Sequence, residues 1–190
     1  MIKKEDWFTI PNILSYIRIL MIPLYVYLYI NAETLTDYYG AAGLLILSAV
    51  TDALDGLIAR NTGQITELGK TLDPLADKLT QVAVVGAMIV ERPYILPLLF
   101  LFIGKELYLL INNIILYKRD ILMDGAMWFG KAATAVFYLC MFILVVFPYL
   151  DKGSSMPLII ATAIFQIISL LGYGRWFMSK FKEHNTKSNQ

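Results

Sequence analysis

The sequence predicts an all-α integral membrane protein, a bundle of six transmembrane helices with a short N-terminal interfacial helix. Three observations predict this fold class. Hydrophobic residues make up 58% of the 190-residue chain and charged residues 16%, whereas roughly a quarter of a soluble domain is charged. The mean hydropathy is +0.62. Apolar runs long enough to cross about 30 Å of hydrocarbon recur along the chain with short linkers between them.

The first predicted span covers residues 12–30. Residues 3–10 before it combine two lysines with Trp7 and Phe8, which is typical of an amphipathic segment in the headgroup layer. The apolar run itself contains Arg18 and Pro23 and is not followed by a small-residue cleavage site. We therefore interpret it as part of the mature fold and not as a signal peptide.

The second and third predicted spans cover residues 40–60 and 71–90. A polar stretch at residues 61–64 separates them, so they can form an antiparallel hairpin. Pro74 lacks an amide hydrogen and suits only the first turn of a helix, which predicts that the third helix starts close to it.

The last three predicted spans cover residues 95–117, 127–148 and 156–178. The linkers leave no room for a soluble domain, so residues 1–180 are predicted to form a single membrane domain. The remaining residues, 181–190, are polar and without periodicity, which favours a tail without regular structure.

Lysine and arginine residues fall mostly on one side of the predicted bundle. The opposite side has only Arg92 and Lys152. By the positive-inside rule, both termini are expected in the cytoplasm. A single Cys140 and a single His184 exclude a disulfide framework and a His/Cys zinc site.

Four carboxylates interrupt the apolar pattern of the second and third spans. Asp52, Asp55 and Gly56 lie at i, i+3 and i+4, on one face of the second helix, and Asp73 and Asp77 are one turn apart in the third. Each acidic group at bilayer depth costs ~2.5–3.5 kcal/mol. Hard divalent cations are the natural partners of such oxygen ligands, so two divalent ions sharing the carboxylates are predicted, as in two-metal phosphoryl-transfer sites. The alternative is a purely structural ion-pair network with Arg60, Lys70 and Lys78.

The run Asp52-x2-Asp55-Gly56-x2-Ala59-Arg60-x8-Gly69-x3-Asp73-x3-Asp77 resembles the signature of the CDP-alcohol phosphatidyltransferases, with every fixed position filled. The resemblance implies a six-span enzyme and CDP-diacylglycerol as the phosphatidyl donor. It implies that Asp52, Asp55 and Asp73 hold Mg²⁺ or Mn²⁺, and that Asp77 contacts a metal and acts as the general base. The nucleotide pocket would be lined by Asp52, Gly56, Ala59, Arg60 and Gly69. Asn12 in the first span, which also resembles the family, would face the same pocket.

The acceptor alcohol is predicted from cations in the spans, because charged residues there are usually functional. Lys105 and Lys131 are expected inside the bundle, where they would bind an anionic acceptor. Arg18 is a further acceptor-binding candidate that could instead snorkel to phosphate headgroups. Glycerol 3-phosphate is favoured, because size and layout resemble the phosphatidylglycerophosphate synthases. Ala133 replaces the second lysine of that branch, and the stretch at 130–134 resembles cardiolipin synthases, so phosphatidylglycerol stays open and inositol phosphate is a third alternative.

Two other classes of protein could also contain such an acidic cluster. A divalent cation transporter or channel could also place carboxylates in a bundle, but Arg60 beside the site and the lack of an internal repeat argue against it. A noncatalytic scaffold is disfavoured by the four intact aspartates. Membrane lipids and a second copy of the chain are the expected partners, the homodimer by analogy with related proteins, and no nucleic-acid partner is expected.

Overall fold

The computed structural model describes residues 7–62, 66, 68–118 and 127–188, apart from the side chains of Arg60, Lys70 and residues 183–188. These described residues form six α-helices and no β-strand, which confirms the all-α prediction. The helices are α1 (Ile10–Ile30), α2 (Leu35–Thr62), α3 (Gly69–Met88), α4 (Leu96–Tyr117), α5 (Trp128–Val146) and α6 (Lys152–Ser188). A 3₁₀ turn, Pro93–Ile95, precedes α4.

Five of the six helices are long and apolar enough to cross a membrane, all except α3. Five of the six predicted transmembrane helices are thus supported by length and composition, and the sixth span stays a prediction. The exception has a physical reason, because Asp73, Asp77 and Lys78 all lie within the 20 residues of α3. The other five helices indicate a multi-pass membrane protein.

The predicted N-terminal interfacial helix is only partly within the described residues. Lys3 and Lys4 lie outside them, whereas Trp7 and Phe8 form a 3₁₀ turn just before α1. Both side chains are exposed. Aromatic rings in this position suit the membrane–water interface.

Contacts divide the chain into two compact units. The amino-terminal unit comprises Met1–Leu96 with Val145–Pro148, and the carboxyl-terminal unit comprises Pro97–Leu144 with Tyr149–Gln190. In the amino-terminal unit, α1 packs against both α2 and α3. Helix α1 can therefore present side chains to both acidic helices.

The start of α2 lies before the predicted residue 40 because two side chains cap it. Asp37 accepts hydrogen bonds from the Thr34 amide and hydroxyl, both at 2.8 Å. This is the reciprocal half of a capping box, which satisfies an amide that a helix start would otherwise leave unpaired. The cap extends α2 by about one turn toward its N-terminus.

The start of α3 differs from the prediction based on Pro74. Helix α3 begins at Gly69, so Pro74 lies in its second turn and not in its first. The N-cap residue is Leu68, and the Gly69 amide, at the first helical position, donates to the Thr66 hydroxyl at 2.9 Å. Pro74 then costs α3 one backbone hydrogen bond.

A buried polar cluster joins α1, α2 and α3 at the ends that lie away from the four aspartates. Glu91 accepts hydrogen bonds from the hydroxyls of Tyr29, at 2.9 Å, and Tyr38. Arg92 donates to the carbonyls of Phe147 at 3.3 Å and Pro148 at 2.5 Å. Arg92 is only 3% exposed, so this arginine serves the packing of the unit.

The carboxyl-terminal unit is held together by aromatic contacts among its three helices. Phe102 of α4 packs against Phe137 of α5, with ring centroids 5.8 Å apart. Tyr173 of α6 packs edge-to-face on Phe129 of α5 and accepts a hydrogen bond from the Met127 amide at 3.2 Å. These rings fix the three helices to one another.

Helix α6 is longer than predicted at both ends. Asp151 caps its start by accepting from the Gly153 amide and the Ser154 hydroxyl, at 2.7 and 2.6 Å. At the other end the helix continues to Ser188. The prediction of an irregular tail over 181–190 is therefore wrong up to residue 188, because a helix already nucleated can propagate into a polar stretch at little cost.

Candidate active site

The two carboxylates of α2 meet one arginine from α1. The Arg18 guanidinium lies 2.7 Å from an Asp52 oxygen and pairs with Asp55 through its other terminal nitrogen. Arg18 and Asp55 are buried, whereas the Asp52 side chain is 52% exposed. Arg18 therefore faces the acidic cluster and does not snorkel. The Arg18 cation therefore neutralises part of the charge of Asp52 and Asp55. Asp52 is the more exposed of these two carboxylates.

A second side chain of α1 connects the cluster to α3. The fully buried Ser15 hydroxyl donates to Asp73. The Asp73 carboxylate interacts electrostatically with both Asp52 and Asp55, and Asp77 interacts with Asp52. Side chains of α1 thus contact Asp52 and Asp55 on α2 and Asp73 on α3, so α1 bridges the two acidic helices.

Asp77 is held from its own helix. The Gln81 amide nitrogen lies 3.0 Å from each Asp77 carboxylate oxygen, and the Lys78 ammonium lies 3.3 Å from one of them. Gln81 is fully buried, whereas the Asp77 side chain is 19% exposed. The carboxylate of the predicted base is therefore oriented but still accessible.

Asn12 and Gly69 meet where α1 passes the start of α3. The Asn12 amide donates to the Thr66 hydroxyl at 3.1 Å. A Cβ atom at Gly69 would lie 2.7 Å from the Asn12 side-chain oxygen, which is closer than a real contact allows. Because Gly69 has no side chain, the Asn12 side chain can lie directly against the start of α3.

The remaining predicted nucleotide residues lie on the last turns of α2. Gly56 and Ala59 are half-buried, one and two turns after Asp52. The backbone of Arg60 continues the helix, while its side chain lies outside the described residues. Small residues here leave room beside the carboxylates for a ligand to approach the helix backbone.

The predicted acceptor lysines have different environments in the carboxyl-terminal unit. Lys105 of α4 is 4% exposed; its ammonium lies 2.7 Å from the Gln166 side-chain oxygen and 2.9 Å from Glu106. It also lies over the Phe102 ring, 5.4 Å from the centroid. Lys131 is exposed. Lys105 is therefore buried and Lys131 is not, and the acceptor-binding role of both stays a prediction.

The donor chemistry of the acidic cluster fits a hard divalent cation. Four carboxylates from two helices supply only oxygen ligands, as Mg²⁺ and Mn²⁺ prefer. Within the described part of the chain, however, no three acidic, histidine or cysteine side chains are arranged to hold a metal ion. Arg18 instead forms an ion pair with Asp52 and donates a hydrogen bond to Asp55, and Ser15 donates to Asp73.

Sequence reasoning missed three residues that contact predicted residues of the acidic site, Ser15, Thr66 and Gln81. It also missed Gln166, which contacts Lys105 in the carboxyl-terminal unit. Helical spacing could have identified Ser15, which lies one turn from both Asn12 and Arg18, and Gln81, which lies one turn after Asp77. Thr66 gives only a weak capping signal. Gln166 is a polar residue within a long apolar run, a signal that deserves a functional explanation in a membrane helix.

Comparison with known proteins agrees with this geometry. The family model of the CDP-alcohol phosphatidyltransferases matches residues 8–172. A CDP-diacylglycerol–glycerol-3-phosphate 3-phosphatidyltransferase of Aquifex aeolicus is 31% identical over 85% of this chain and 88% of its own length.

Cardiolipin synthases (CMP-forming) are also similar. The Streptomyces coelicolor protein is 35% identical over 70% of this chain and 63% of its own length. The human protein is 38% identical over 56% of this chain and 34% of its own length. The family match covers α1 to α5 and the first part of α6, and it contains every residue of the acidic cluster. The chain therefore belongs to the CDP-alcohol phosphatidyltransferase family and is an enzyme of that class.

Proposed function

We propose that this enzyme transfers the phosphatidyl group of CDP-diacylglycerol to a hydroxyl of a glycerol-based acceptor and releases CMP. The observation that carries the proposal is the gathering of Asp52, Asp55 and Asp73 around the side chains of α1, with Asp77 electrostatically coupled to them. Such a cluster in an apolar chain requires a positively charged ligand or partner to offset its cost.

In the proposed reaction, the acceptor oxygen bonds to the β-phosphorus of the donor and the bond from that phosphorus to the CMP oxygen breaks. Asp77 takes the proton of the attacking hydroxyl. Gln81, bonded to both Asp77 oxygens at 3.0 Å, holds the carboxylate in a fixed orientation for that transfer. CMP leaves with the electron pair.

Two divalent cations, Mg²⁺ or Mn²⁺, would be held by Asp52, Asp55, Asp73 and Asp77. When bound, they supply positive charge that polarises the phosphoryl oxygens and stabilises the leaving phosphate. The chain's own residues bind and orient the nucleotide: Gly56, Ala59 and Gly69 leave space beside the cluster, and Asn12 contributes an amide. Arg60 provides a cation suited to charge-assisted bonds with phosphate.

Glycerol 3-phosphate is the first acceptor we propose. Support comes from the Aquifex aeolicus relative, whose name contains that acceptor and most of whose length matches this chain. The buried Lys105 offers a cation for the acceptor phosphate. Lys131, although exposed, and Arg18 are retained as candidate acceptor contacts.

Phosphatidylglycerol is the second candidate, and one observation favours it. Lys105 is paired with Glu106 at 2.9 Å, so the local charge around it is nearly balanced. A phosphodiester carries one negative charge and needs less compensation than a phosphomonoester. The cardiolipin synthases among the relatives agree with this alternative.

We also propose that the enzyme acts in a bacterial cell membrane as a homodimer. The asymmetry of lysine and arginine would place both termini and the acidic cluster on the cytoplasmic side. Support comes from the lysines and arginines of the 118–119 and 175–187 segments. This side is where soluble acceptors and the released CMP would exchange.

The test is product formation by purified enzyme with CDP-diacylglycerol and Mg²⁺. Glycerol 3-phosphate, phosphatidylglycerol and inositol phosphate are offered in separate reactions, and CMP and lipid mass are measured. We expect CMP in equal amount to a new lipid with one glycerol-based acceptor. CMP release with none of the three would overturn the acceptor assignment; Mg²⁺ flux into vesicles without any CMP release would favour a transporter.

A further inference from the structure

Arg18 contacts the same two carboxylates of α2 that are proposed to hold a divalent cation. Its guanidinium lies 2.7 Å from an Asp52 oxygen and donates a hydrogen bond to Asp55. A guanidinium and a divalent cation repel each other, so they cannot approach the same carboxylate oxygens from the same direction. Arg18 and a cation shared by Asp52 and Asp55 therefore compete.

The two aspartates are the polar contacts that hold the Arg18 guanidinium at the acidic cluster, within the described part of the chain. Its Nε atom is buried and has no hydrogen-bond partner among the described residues. A guanidinium has five N–H donors, and a buried donor without a partner is destabilising. Arg18 is thus held by its contacts with Asp52 and Asp55 and lacks a partner for Nε.

A small cavity between α1, α2 and α3 adjoins Arg18. Its lining includes Arg18 and Tyr25 of α1, Ser48 of α2, and Thr80 and Ala83 of α3, with apolar side chains between them. It has room for about one water molecule. All these residues belong to the amino-terminal unit, so the cavity and the acidic cluster lie in one unit.

Three hydroxyl-bearing side chains line this otherwise apolar cavity. Tyr25 lies two turns after Arg18 on the same helix face and is 3% exposed, and its hydroxyl has no hydrogen-bond partner among the described residues. The Thr80 hydroxyl donates to the Ala76 carbonyl at 2.8 Å, which leaves its oxygen able to accept. Ser48 adds a third hydroxyl. Hydroxyl oxygens accept hydrogen bonds from a guanidinium, so this lining suits a displaced arginine.

We propose that Arg18 is an internal counter-ion, which a divalent cation displaces from Asp52 and Asp55. The guanidinium then turns toward the cavity, where the Tyr25 and Ser48 hydroxyls accept its hydrogen bonds. The cation binds in exchange for an existing ion pair, so the free enzyme binds it more weakly than the carboxylates alone would. This inference rests on the proposed function, because it concerns one of the two proposed cations.

The first test measures the affinity of the purified full chain for Mn²⁺ in detergent, without CDP-diacylglycerol. The electron paramagnetic resonance signal of free Mn²⁺ reports binding. Arg18→Gln removes the charge and keeps a polar side chain. The Kd for Mn²⁺ should fall about tenfold or more, because charges a few ångströms apart interact strongly where water is excluded. An arginine that only orients the two aspartates would give the opposite result, a higher Kd in the variant.

The second test fills the cavity. Ala83→Leu leaves Arg18 unchanged but takes the space toward which its guanidinium turns, so the Kd for Mn²⁺ should rise. The same substitution in Arg18→Gln should not change the Kd, and this non-additivity separates the effect from a general loss of packing. The control is Gly86→Ala, about one turn along α3. Its added Cβ atom meets no atom within 4 Å, so it should bind Mn²⁺ as the wild type does.

An unchanged or higher Kd in Arg18→Gln would overturn the counter-ion role. If that variant does not fold, Ala83→Leu decides alone, and a wild-type Kd there would overturn the movement into the cavity and leave a water as its occupant. CMP release is assayed separately. The expected Mn²⁺ affinities without CMP release would support the counter-ion and reject the proposed function. Absence of Mn²⁺ binding in the wild type and every variant would reject both.

Discussion

At the scale of single residues, Arg18 has the largest electrostatic role in the acidic cluster. It is 1% exposed and contacts two of the four aspartates, through its two terminal nitrogens. Without a divalent cation, this arginine supplies positive charge directly to the Asp52 and Asp55 carboxylates. Its position on α1 also explains why α1, α2 and α3 pack together around charged groups.

Replacing Arg18 with alanine should therefore destabilise the metal-free enzyme. Removing one partner of a buried ion pair costs about 3–5 kcal/mol, and the Asp55 side chain is only 3% exposed. We expect a lower melting temperature in detergent with EDTA and partial recovery when Mg²⁺ is added. The control is Lys78→Ala, because Lys78 is 32% exposed and such pairs contribute little. Equal melting temperatures for the two variants in EDTA would contradict this role.

Gly69 offers a second residue-scale prediction. Gly69→Ala would place a Cβ atom 2.7 Å from the Asn12 side-chain oxygen, so α1 or Asn12 must shift. Overpacking of this kind costs about 1–3 kcal/mol, and kcat/KM for CDP-diacylglycerol should fall with it. Gly86→Ala in the same helix meets no atom within 4 Å and should stabilise α3 by up to ~1 kcal/mol. If both variants behave alike, the close approach of Asn12 has no consequence for the site.

The aspartates were predictable at this scale because motif spacing and helical periodicity place them on defined faces. The partners of the aspartates were harder to predict. Arg18 and Ser15 are separated from Asp55 and Asp73 by 37 and 58 positions, and no local pattern shows which distant side chain will meet which acid. Lys131 illustrates the same limit, since the sequence could not show that it is exposed.

At the scale of secondary-structure elements, capping explains the differences between predicted and observed helix bounds. Apolar runs predicted the middle of every helix. Near the starts of α2, α3 and α6, backbone amides donate to the side chains of Asp37, Thr66 and Asp151, ahead of the apolar runs. Hydropathy does not report these polar bonds, so the predicted starts of α2, α3 and α6 are too late.

Asp151 at the start of α6 gives a pH-dependent prediction. The Ser154 hydroxyl, followed by the Gly153 amide, lowers the pKa of the Asp151 carboxyl below its ordinary value. A folded-state pKa below the unfolded-state value stabilises the fold above the unfolded pKa, and this stabilisation is lost as pH falls through the folded pKa. Asp151→Ala should therefore have a lower melting temperature than the wild type at neutral pH. The difference in melting temperature should disappear at acidic pH.

Asp151→Asn is the matched control for the cap. Asparagine is as good an N-cap as aspartate, so this variant should melt close to the wild type at neutral pH and show no pH-dependent gap from loss of the cap. Thermal unfolding in detergent from pH 7 down to about pH 3 measures both variants. If Asp151→Ala has the melting temperature of the wild type across this pH range, the cap does not stabilise α6.

At the scale of the whole molecule, composition predicted the all-helical membrane fold, and the order of the helices follows the apolar runs. The single domain over 1–180 remains a prediction, since contacts divide the chain into two compact units. The acidic cluster lies in the first unit and the Lys105–Gln166 pair in the second. Hydropathy could not predict this division, because it depends on which buried side chains meet.

We propose that the acidic cluster catalyses phosphatidyl transfer with Asp77 as the base. The most direct measurement is CMP release from CDP-diacylglycerol by purified wild type and Asp77→Asn, with glycerol 3-phosphate or phosphatidylglycerol as acceptor and with Mg²⁺ or EDTA. The control is Asp151→Asn, which changes an exposed carboxylate outside the cluster. We expect Mg²⁺-dependent CMP release by the wild type and the control. In Asp77→Asn we expect nearly all turnover to be lost while CDP-diacylglycerol still binds. Full turnover by Asp77→Asn, or release unaffected by EDTA, would contradict it.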